Sequence, residues 1–373
     1  MMNVTCDREK LLVACQAASS VVPARSAKPI LLNFKIEAIA EKTTLLATDL
    51  EVGIRIDVPG IEVQQPGQAV LPAARLNAIL RESSDEIIRF SADLKGTEIR
   101  GERSRFKLPG ADPGEFPDVA LFEETAYHEV PARLLRQLIH RTVFATDPES
   151  TRYALGGVLL EMDDTKIIAI GTDGRRLAKM EGPAQSVGGH KTGDQATIIP
   201  SKAMHLIDRV ITDSDAEVRL AVSSSHALIS SQRVTIYSRL VEGRFPKWRD
   251  VFPQRHNAAR ITVPVGPLNS AVRQAAIVTS QESRGVDFGF AEGSLTLKSQ
   301  SAEHGQSQIE LPIAYAGEPI SIMLDPRYLI DFLKVLDAEK TFTLEVQDGE
   351  SAVVCTTDDG YAYVIMPLAR DAK

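Results

Sequence analysis

The chain has 373 residues, a formal net charge of −8 and 43% hydrophobic residues, which is the composition of an ordinary folded protein and argues against a simple basic nucleic-acid binder. The three cysteines form no CxxC pair and the seven histidines show no metal-ligand spacing, so neither a disulfide framework nor a metal site is expected. No apolar run reaches the ~18 residues that cross a membrane, and the first residues show no signal-peptide pattern, so we expect a cytoplasmic protein.

The same order of elements occurs three times along the chain, at intervals of about 125 residues. Each copy begins with a helix whose apolar residues recur at helical spacing, continues into strands, and ends with a second helix that begins beside a proline. A repeat of this length is a domain, so the sequence predicts three copies of one domain. The first helices are predicted over 7–21, 131–145 and 267–279, and the second helices begin at Pro72, Pro200 and Pro326.

Strands with alternating apolar and polar residues lie between the helices. Residues 51–58 of the first copy and 341–346 of the third alternate in this way. Period-two alternation is typical of half-buried antiparallel strands, so each domain is predicted to be α+β, with two helices packed on antiparallel sheet. The predicted domain boundaries are 1–124, 125–254 and 255–373.

Positive charge is concentrated in the predicted helices of this acidic chain, because all six helical windows carry a net positive charge. Two explanations stay open. Lys and Arg are good helix formers on solvated faces, or the helices line one surface that faces a polyanion. The two ends of a rigid three-domain array can also meet head to tail, which produces either a filament or a closed ring.

The sequence offers few candidates for catalysis, and we expect neither an enzyme nor a cofactor. Ser201 and Lys202 could supply a nucleophile and a base, but without a Gly-x-Ser-x-Gly elbow a helix-capping role is preferred over a hydrolase. Residues 172–176 are either a strand-end turn, like residues 48–51 of the first copy, or a recognition loop. The apolar segment 361–370 is either the closing strand of the third core or an adaptable binding surface.

Six short stretches, spread over the whole chain and in the same order, resemble the bacterial DNA polymerase III beta subunits, the DNA sliding clamps. This family forms head-to-tail dimeric rings of six similar domains, with helices toward a central hole, which agrees with the charged helices found here. The DNA clamp fold is therefore expected. The stretches are residues 104–108, 152–157, 172–178, 240–246, 283–286 and 363–368.

The resemblance implies a non-catalytic processivity factor of the replicative polymerase, a homodimer that encircles duplex DNA without reading its sequence. Weak phosphate contacts suit a protein that slides. The implied partners are the DNA polymerase III catalytic subunit, the clamp loader, other polymerases and repair proteins, all bound through short linear motifs, with no membrane involved. The alternative is a clamp-like peptide-binding scaffold that is not loaded on DNA.

The resemblance also implies roles for individual residues. DNA contacts are implied at Arg25, Arg75, Arg152, Tyr153, Arg175 and Lys202. The peptide-binding pocket is implied at Leu155, Thr172, Gly174, Arg175, Arg176, Leu177, Pro246, Val251, Val364, Met366, Pro367 and Leu368. The dimer interface is implied to pair Phe106 and Leu108 with Ile277 and Val278 of the neighbour. The chain departs from the family pattern at four positions. An aromatic residue is common at the positions of Ala154 and Ser283, His at that of Arg175 and Arg at that of Asp250.

Overall fold

The computed structural model describes residues 1–40, 42–93, 95–150, 154–193, 196–253, 258–280 and 284–369. The α-helices are α1 Arg8–Ser19, α2 Ala73–Glu82, α3 Ala132–Thr142, α4 Ser201–Val210, α5 Val265–Ala275 and α6 Pro326–Lys334. The strands of the first half are β1 Met2–Asp7, β2 Asn33–Ile39, β3 Lys42–Thr48, β4 Val52–Asp57, β5 Ile61–Gln65, β6 Gly67–Pro72, β7 Ile87–Asp93, β8 Gly96–Arg100, β9 Arg105–Pro109, β10 Tyr127–Pro131, β11 Gly157–Met162, β12 Lys166–Thr172 and β13 Arg176–Pro183. Those of the second half are β14 Gln185–Val187, β15 Thr197–Pro200, β16 Glu217–Val222, β17 His226–Ser231, β18 Val234–Arg239, β19 Ala259–Pro264, β20 Val286–Ala291, β21 Ser294–Ser301, β22 Gly305–Pro312, β23 Ile320–Leu324, β24 Thr341–Val346, β25 Val353–Thr356 and β26 Tyr361–Ile365.

The six helices occur where the sequence predicts them, with ends that follow local chemistry. Asp7 caps α1 by accepting a hydrogen bond from the backbone N–H of Lys10 at 3.1 Å. The predicted first helices of the second and third copies end in short 3-10 turns, at Val143–Ala145 and Ala276–Val278, instead of continuing as α-helix. The repeated order of elements is therefore present in the backbone itself.

The prolines differ slightly from the prediction. Pro72 and Pro200 are the last residues of β6 and β15, directly before α2 and α4, whereas Pro326 is the first residue of α6. Ser201 is consequently the first residue of α4 and not its cap, so the capping role assigned to it is wrong. Ser201 is also 7% exposed, which disfavours the alternative that it acts as a nucleophile.

Contacts divide the chain into two compact units. Unit 1 comprises residues 1–136, 163–165 and 184–240, and its helix α1 packs against α2. Arg136 of α3 forms a 3.1 Å salt bridge with Asp208 of α4. The strands of its two sheets lie in the orders β5-β1-β7-β8-β9 and β14-β10-β16-β17-β18-β4-β3-β2-β6.

Unit 2 comprises residues 137–162, 166–183 and 241–373. Its helix α5 packs against α6, and Phe332 of α6 stacks on Tyr363 of β26 with ring centroids 5.0 Å apart. Phe342 meets the same Phe332 ring edge to face. Its strands lie in the orders β11-β12-β13-β26-β25-β24-β19 and β22-β21-β20-β23.

Every described strand pair is antiparallel, which confirms the α+β class and the clamp-type arrangement of helices on antiparallel sheet. The three cysteines are free and buried, and burial raises the pKa of Cys6 to about 12. The domain boundaries that we predicted from the repeat stay a prediction.

Candidate functional site

The turn at residues 172–176 is a structural copy of the turn at residues 48–52. In both, a threonine hydroxyl donates to the carbonyl four residues later, Thr172 to Arg176 at 2.6 Å and Thr48 to Val52 at 3.0 Å. An aspartate carboxylate in each turn accepts from two following backbone N–H groups. The third residue has a left-handed φ of 86° at Gly174 and 81° at Leu50. The strand-end turn that the sequence predicts is therefore confirmed, and its role as a recognition loop stays a prediction.

Arg176 ties this turn to the rest of unit 2. Its guanidinium donates to Asp173 at 2.9 Å, to Asp331 of α6 at 2.8 Å and to the carbonyl of Phe144 at 2.7 Å. It also lies over the rings of Phe144 and Tyr328, 5.4 and 4.7 Å from their centroids. Arg176 therefore stabilises the turn by connecting it to α6 and to the backbone at Phe144.

The C-terminal segment continues beyond β26 along the same turn. The N–H of Met366 donates to the carbonyl of Arg175 at 2.9 Å, and the N–H of Leu368 donates to the carbonyl of Met323 at 2.8 Å. This backbone pairing leaves the Met366 side chain 45% exposed. A Cβ on Gly285 would lie only 2.6 Å from the Met323 side chain, so glycine allows the close packing beneath Leu368. The segment thus closes the core and also presents an apolar surface.

The connector at residues 244–253, which contains Trp248, is anchored on β11 of unit 2. Trp248 is buried and donates to Glu161 at 2.9 Å, while Arg249 stacks 4.2 Å over the Trp248 ring and pairs with the same carboxylate. Partial burial acts to raise the pKa of Glu161, but hydrogen bonds from Arg249 and Trp248 lower it below its ordinary value. This anchor fixes the short 3-10 turn whose last residue, Val251, is 37% exposed.

The residues implied for the peptide pocket fall into groups by exposure, and all lie in unit 2. Four are buried, namely Leu155, Thr172, Leu177 and Val364. Four are exposed, namely Gly174, Arg175, Val251 and Met366, and four are half-buried, namely Arg176, Pro246, Pro367 and Leu368. The sequence reasoning missed Glu161, Met323 and Asp331, because their contribution depends on contacts between distant segments.

The residues implied for DNA contact have different surroundings. Arg25 is exposed in the loop after α1, and Arg175 is exposed on the turn described above. Lys202 of α4 is exposed but forms a salt bridge with Asp49. A cleft of about 400 Å³ runs past Lys202 and is lined by His205 and Arg209 on the same face of α4. Arg152 and Tyr153 lie outside the described residues.

Arg75 lines a groove with two residues of the predicted dimer interface. This groove, of about 680 Å³, holds Arg75 of α2 together with Phe106 and Leu108 of β9. Phe106 is 40% exposed, and its strand β9 lies at the edge of the described five-stranded sheet. In unit 2, Ile277 is 75% exposed and β22 is likewise an edge strand. Edge strands with exposed apolar side chains are surfaces suited to association.

Other features limit the chemistry of the described part of the chain. No group of three or more His, Cys, Asp or Glu side chains among the described residues is placed to hold a metal ion. None of the described helices combines the length and apolar character that membrane crossing requires. Of the positions that depart from the family pattern, Ala154 is 5% exposed, Asp250 is exposed and Ser283 lies outside the described residues.

Family models match the chain in three consecutive segments. Residues 2–120 match the N-terminal domain of the DNA polymerase III beta subunit, residues 129–247 match its central domain and residues 249–369 match its C-terminal domain. The three segments together account for nearly the whole chain.

Curated and solved relatives agree with these matches. The chain is 32% identical to the beta sliding clamp of Caulobacter vibrioides over 98% of this chain and 100% of that protein. It is 27% identical to the beta sliding clamp of Escherichia coli, with the same coverage. A sliding clamp of Pseudomonas aeruginosa bound to griselimycin has a TM-score of 0.91 and 27% identity, covering 99% of this chain and 100% of that one.

Proposed function

The chain belongs to the family of the DNA polymerase III beta subunits, the beta sliding clamps, and we propose that it is the processivity clamp of a replicative DNA polymerase. In this role two copies close into a ring around duplex DNA, and the ring tethers partner proteins without catalysing a reaction. Family membership over the full length carries the proposal, and the surfaces below support it.

We infer that the pocket residues of unit 2 named above form a groove, and that this groove receives a short linear motif from each partner. Met366 and Val251 present apolar side chains, while the backbone of the C-terminal segment is held by Arg175 and Met323. Apolar anchors seated in a preformed groove are a common way to bind short peptides. The P. aeruginosa relative is bound to griselimycin, which makes this compound a suitable probe for the groove.

The partners that use this groove are the polymerase III catalytic subunit, the clamp loader, other polymerases and repair proteins. Buried residues of the implied pocket, such as Leu155 and Val364, support the walls, whereas the exposed Arg175 and Met366 contact the motif. Arg176 acts mainly by holding the turn, because its guanidinium is occupied by Asp173, Asp331 and a carbonyl.

The ring closes by pairing edge strand β9 of one copy with edge strand β22 of the next. In such a pairing the exposed Phe106 and the half-buried Leu108 of one copy meet Ile277 and Val278 of the other. A head-to-tail contact of this kind uses two different surfaces and closes into a ring when the angles permit.

DNA passes through the ring and meets Lys and Arg side chains through its phosphates. Arg25, Arg175 and Lys202 are exposed and cationic, and His205 and Arg209 extend the Lys202 surface along α4. Arg75 belongs to the groove beside Phe106 and is better suited to the ring interface than to DNA. Arg152 and Tyr153 complete the proposed DNA contacts.

The test is topological retention on DNA. The protein, together with a clamp loader, is placed on nicked circular DNA and the DNA is then cut at one site. A clamp stays on the circle at high salt and leaves the linear form, because only a ring is retained without strong contacts. Slower loading at low salt after Arg25, Arg152 and Arg175 are changed to Ala, with loaded rings still retained at high salt, would support the phosphate contacts. Griselimycin binding without any retention would instead identify a peptide-binding scaffold that is not loaded on DNA.

A further inference from the structure

A buried pair of histidines lies in unit 1. His128 of β10 is 0% exposed and His190, in the loop after β14, is 8% exposed. Their Nδ1 atoms are 2.7 Å apart, and the rings meet edge to face with centroids 4.9 Å apart. Two buried titratable rings in direct contact need one defined arrangement of protons.

The outer nitrogens of the two rings define that arrangement. The Nε2 of His128 is 2.6 Å from the carbonyl of Asp163, which can only accept, so this nitrogen carries a proton. The N–H of Val222 donates to the Nε2 of His190 at 3.0 Å, so that nitrogen carries none. A neutral His190 is then protonated at Nδ1 and donates to the bare Nδ1 of His128. The chain of hydrogen bonds is complete only when both rings are neutral.

The same arrangement disfavours a metal ion between the rings. If His190 bound a metal through Nδ1, its neutral ring would carry the proton on Nε2, which would then face the N–H of Val222. Two donors would oppose each other at 3.0 Å in a buried site, and that arrangement is costly.

The histidine pair holds several separate segments together. Strand β14 lies at the edge of the nine-stranded sheet, where β10 is its one neighbour among the described strands. The N–H groups of Ala184 and Ser186 donate to the carbonyls of Thr165 and Asp164, and the Ser186 hydroxyl donates to the carbonyl of His190 at 2.7 Å. The pair therefore links β10, β16, residues 163–165 and the segment 184–190.

We propose that His128 and His190 form an acid-released latch, in which protonation of either ring breaks their hydrogen bond and frees β14 from the sheet edge. A proton added to Nε2 of His190 would oppose the Val222 N–H, and one added to Nδ1 of His128 would oppose the His190 proton. Freeing β14 exposes the backbone edge of β10, so the latch controls whether that edge is open to another strand.

The charges around the pair favour opening in mild acid. Burial and the neighbouring His128 lower the pKa of His190, while Glu124 acts in the opposite direction. Two other charged groups on adjoining segments have partners of their own. Arg219 lies over the Tyr127 ring, and the Asp163 carboxylate accepts from the N–H of Thr165. The side chains of Glu129, Asp164 and Lys191 are partly or fully solvated. Because the His190 pKa is lowered in the closed form, the open form takes up a proton at a higher pH than the closed form does. The closed form therefore loses stability relative to the open form as pH falls below about 6.5.

Hydrogen exchange of the full-length protein tests the latch. Protection of the Ala184, Ser186 and Val222 amides, corrected for intrinsic exchange rates, is compared at pH 7.5 and pH 5.5. We expect about a tenfold loss of protection at pH 5.5, as one proton binds an open form with an ordinary histidine pKa. Amides in the centre of the same sheet, at the β17–β18 pairing, should keep their protection. Unchanged protection of the three amides would overturn the proposal.

Histidine variants and the chemical shifts of the histidine ring nitrogens supply two independent tests. His190→Gln cannot titrate, so its protection should be low at both pH values, whereas His226→Gln, a partly exposed histidine in the same sheet, should retain the acid response. Because His190→Gln could fail to fold, ring nitrogen shifts of the wild-type protein give a second measurement. At pH 7.5 we expect neutral His128 protonated at Nε2 and neutral His190 protonated at Nδ1. A charged ring or other tautomers at pH 7.5, or protection of the three amides that stays high at pH 7.5 in a folded His190→Gln, would contradict the latch.

Discussion

Arg176 and Asp331 form a 2.8 Å salt bridge that joins the 172–176 turn to helix α6 within unit 2. The Arg176 side chain is only 10% exposed, whereas the Asp331 side chain is 34% exposed. Removing one partner of such a pair leaves the other charge poorly solvated, which costs far more than breaking a surface pair. The link joins the 172–176 turn to a helix of the third copy of the repeat.

Arg176→Ala should lower the free energy of unfolding by about 3 kcal/mol, near the lower end for breaking a buried pair, because Asp331 keeps about a third of its surface exposed. It should also weaken griselimycin binding by about tenfold or more, since the turn loses its support. Urea denaturation and calorimetry measure the two effects.

Arg175→Ala is the matched control for Arg176→Ala. Arg175 is exposed, and its contribution to the C-terminal segment is a backbone carbonyl that any residue provides. We expect a change in unfolding free energy within about 0.5 kcal/mol. Equal destabilisation by the two variants would show that the Arg176 contacts do not stabilise the turn.

The difference between these neighbouring arginines shows what the sequence could and could not predict. Helical spacing, alternation and the repeat predict the helices, the antiparallel strands and the position of the 172–176 turn, because these features are local. Two partners of Arg176 lie 32 and 155 residues away, at Phe144 and Asp331, so no local pattern identifies them. For the same reason the sequence did not reveal that Lys202 is paired with Asp49 or that Ser201 is buried.

Phe106→Arg should convert the dimer into monomers, because it places a charge in the proposed apolar contact between β9 and β22. Light scattering should then report a mass of 40.7 kDa instead of twice that value. Ile39→Arg is the control, since Ile39 is 59% exposed and lies at the end of an interior strand. A Phe106→Arg protein that remains dimeric would rule out this interface.

Asp49→Asn should lengthen the residence time of the clamp on nicked circular DNA. The Oδ2 atom of Asp49 pairs with Lys202, while Oδ1 accepts from the N–H groups of Glu51 and Val52. Asparagine keeps an oxygen for the turn and removes the charge that occupies Lys202, which then becomes available to a phosphate. One additional phosphate contact also makes the salt dependence of retention steeper.

Two further variants separate this effect from a general change in charge. Asp57→Asn removes the same charge from a carboxylate that pairs with Lys42 at 2.8 Å, and it should change residence time less. In a Lys202→Ala background, Asp49→Asn should have little effect, because the cation that it frees is gone. An equal gain from Asp49→Asn and Asp57→Asn would mean that net charge alone sets retention.

Trp248 is the single tryptophan of the chain, so its fluorescence reports on the connector that carries Val251. Glu161→Gln removes the charge that holds Arg249 over the indole, and we expect the emission maximum to shift to longer wavelength as water reaches the ring. Glu242→Gln, an exposed glutamate of the same connector, should leave the spectrum unchanged.

Acid titration of the wild-type protein should reproduce the effect of Glu161→Gln. The folded-state pKa of Glu161 is lowered, so the stability that its pairing contributes is fully present above the ordinary value of 4.5 and is lost as pH falls through the folded-state pKa. The emission shift should therefore have its midpoint below pH 4.5 and be absent in Glu161→Gln, which has no carboxylate to titrate. A midpoint at or above 4.5 would mean that Arg249 and Trp248 do not stabilise the ionised carboxylate, and the connector would then need another anchor beside Val251.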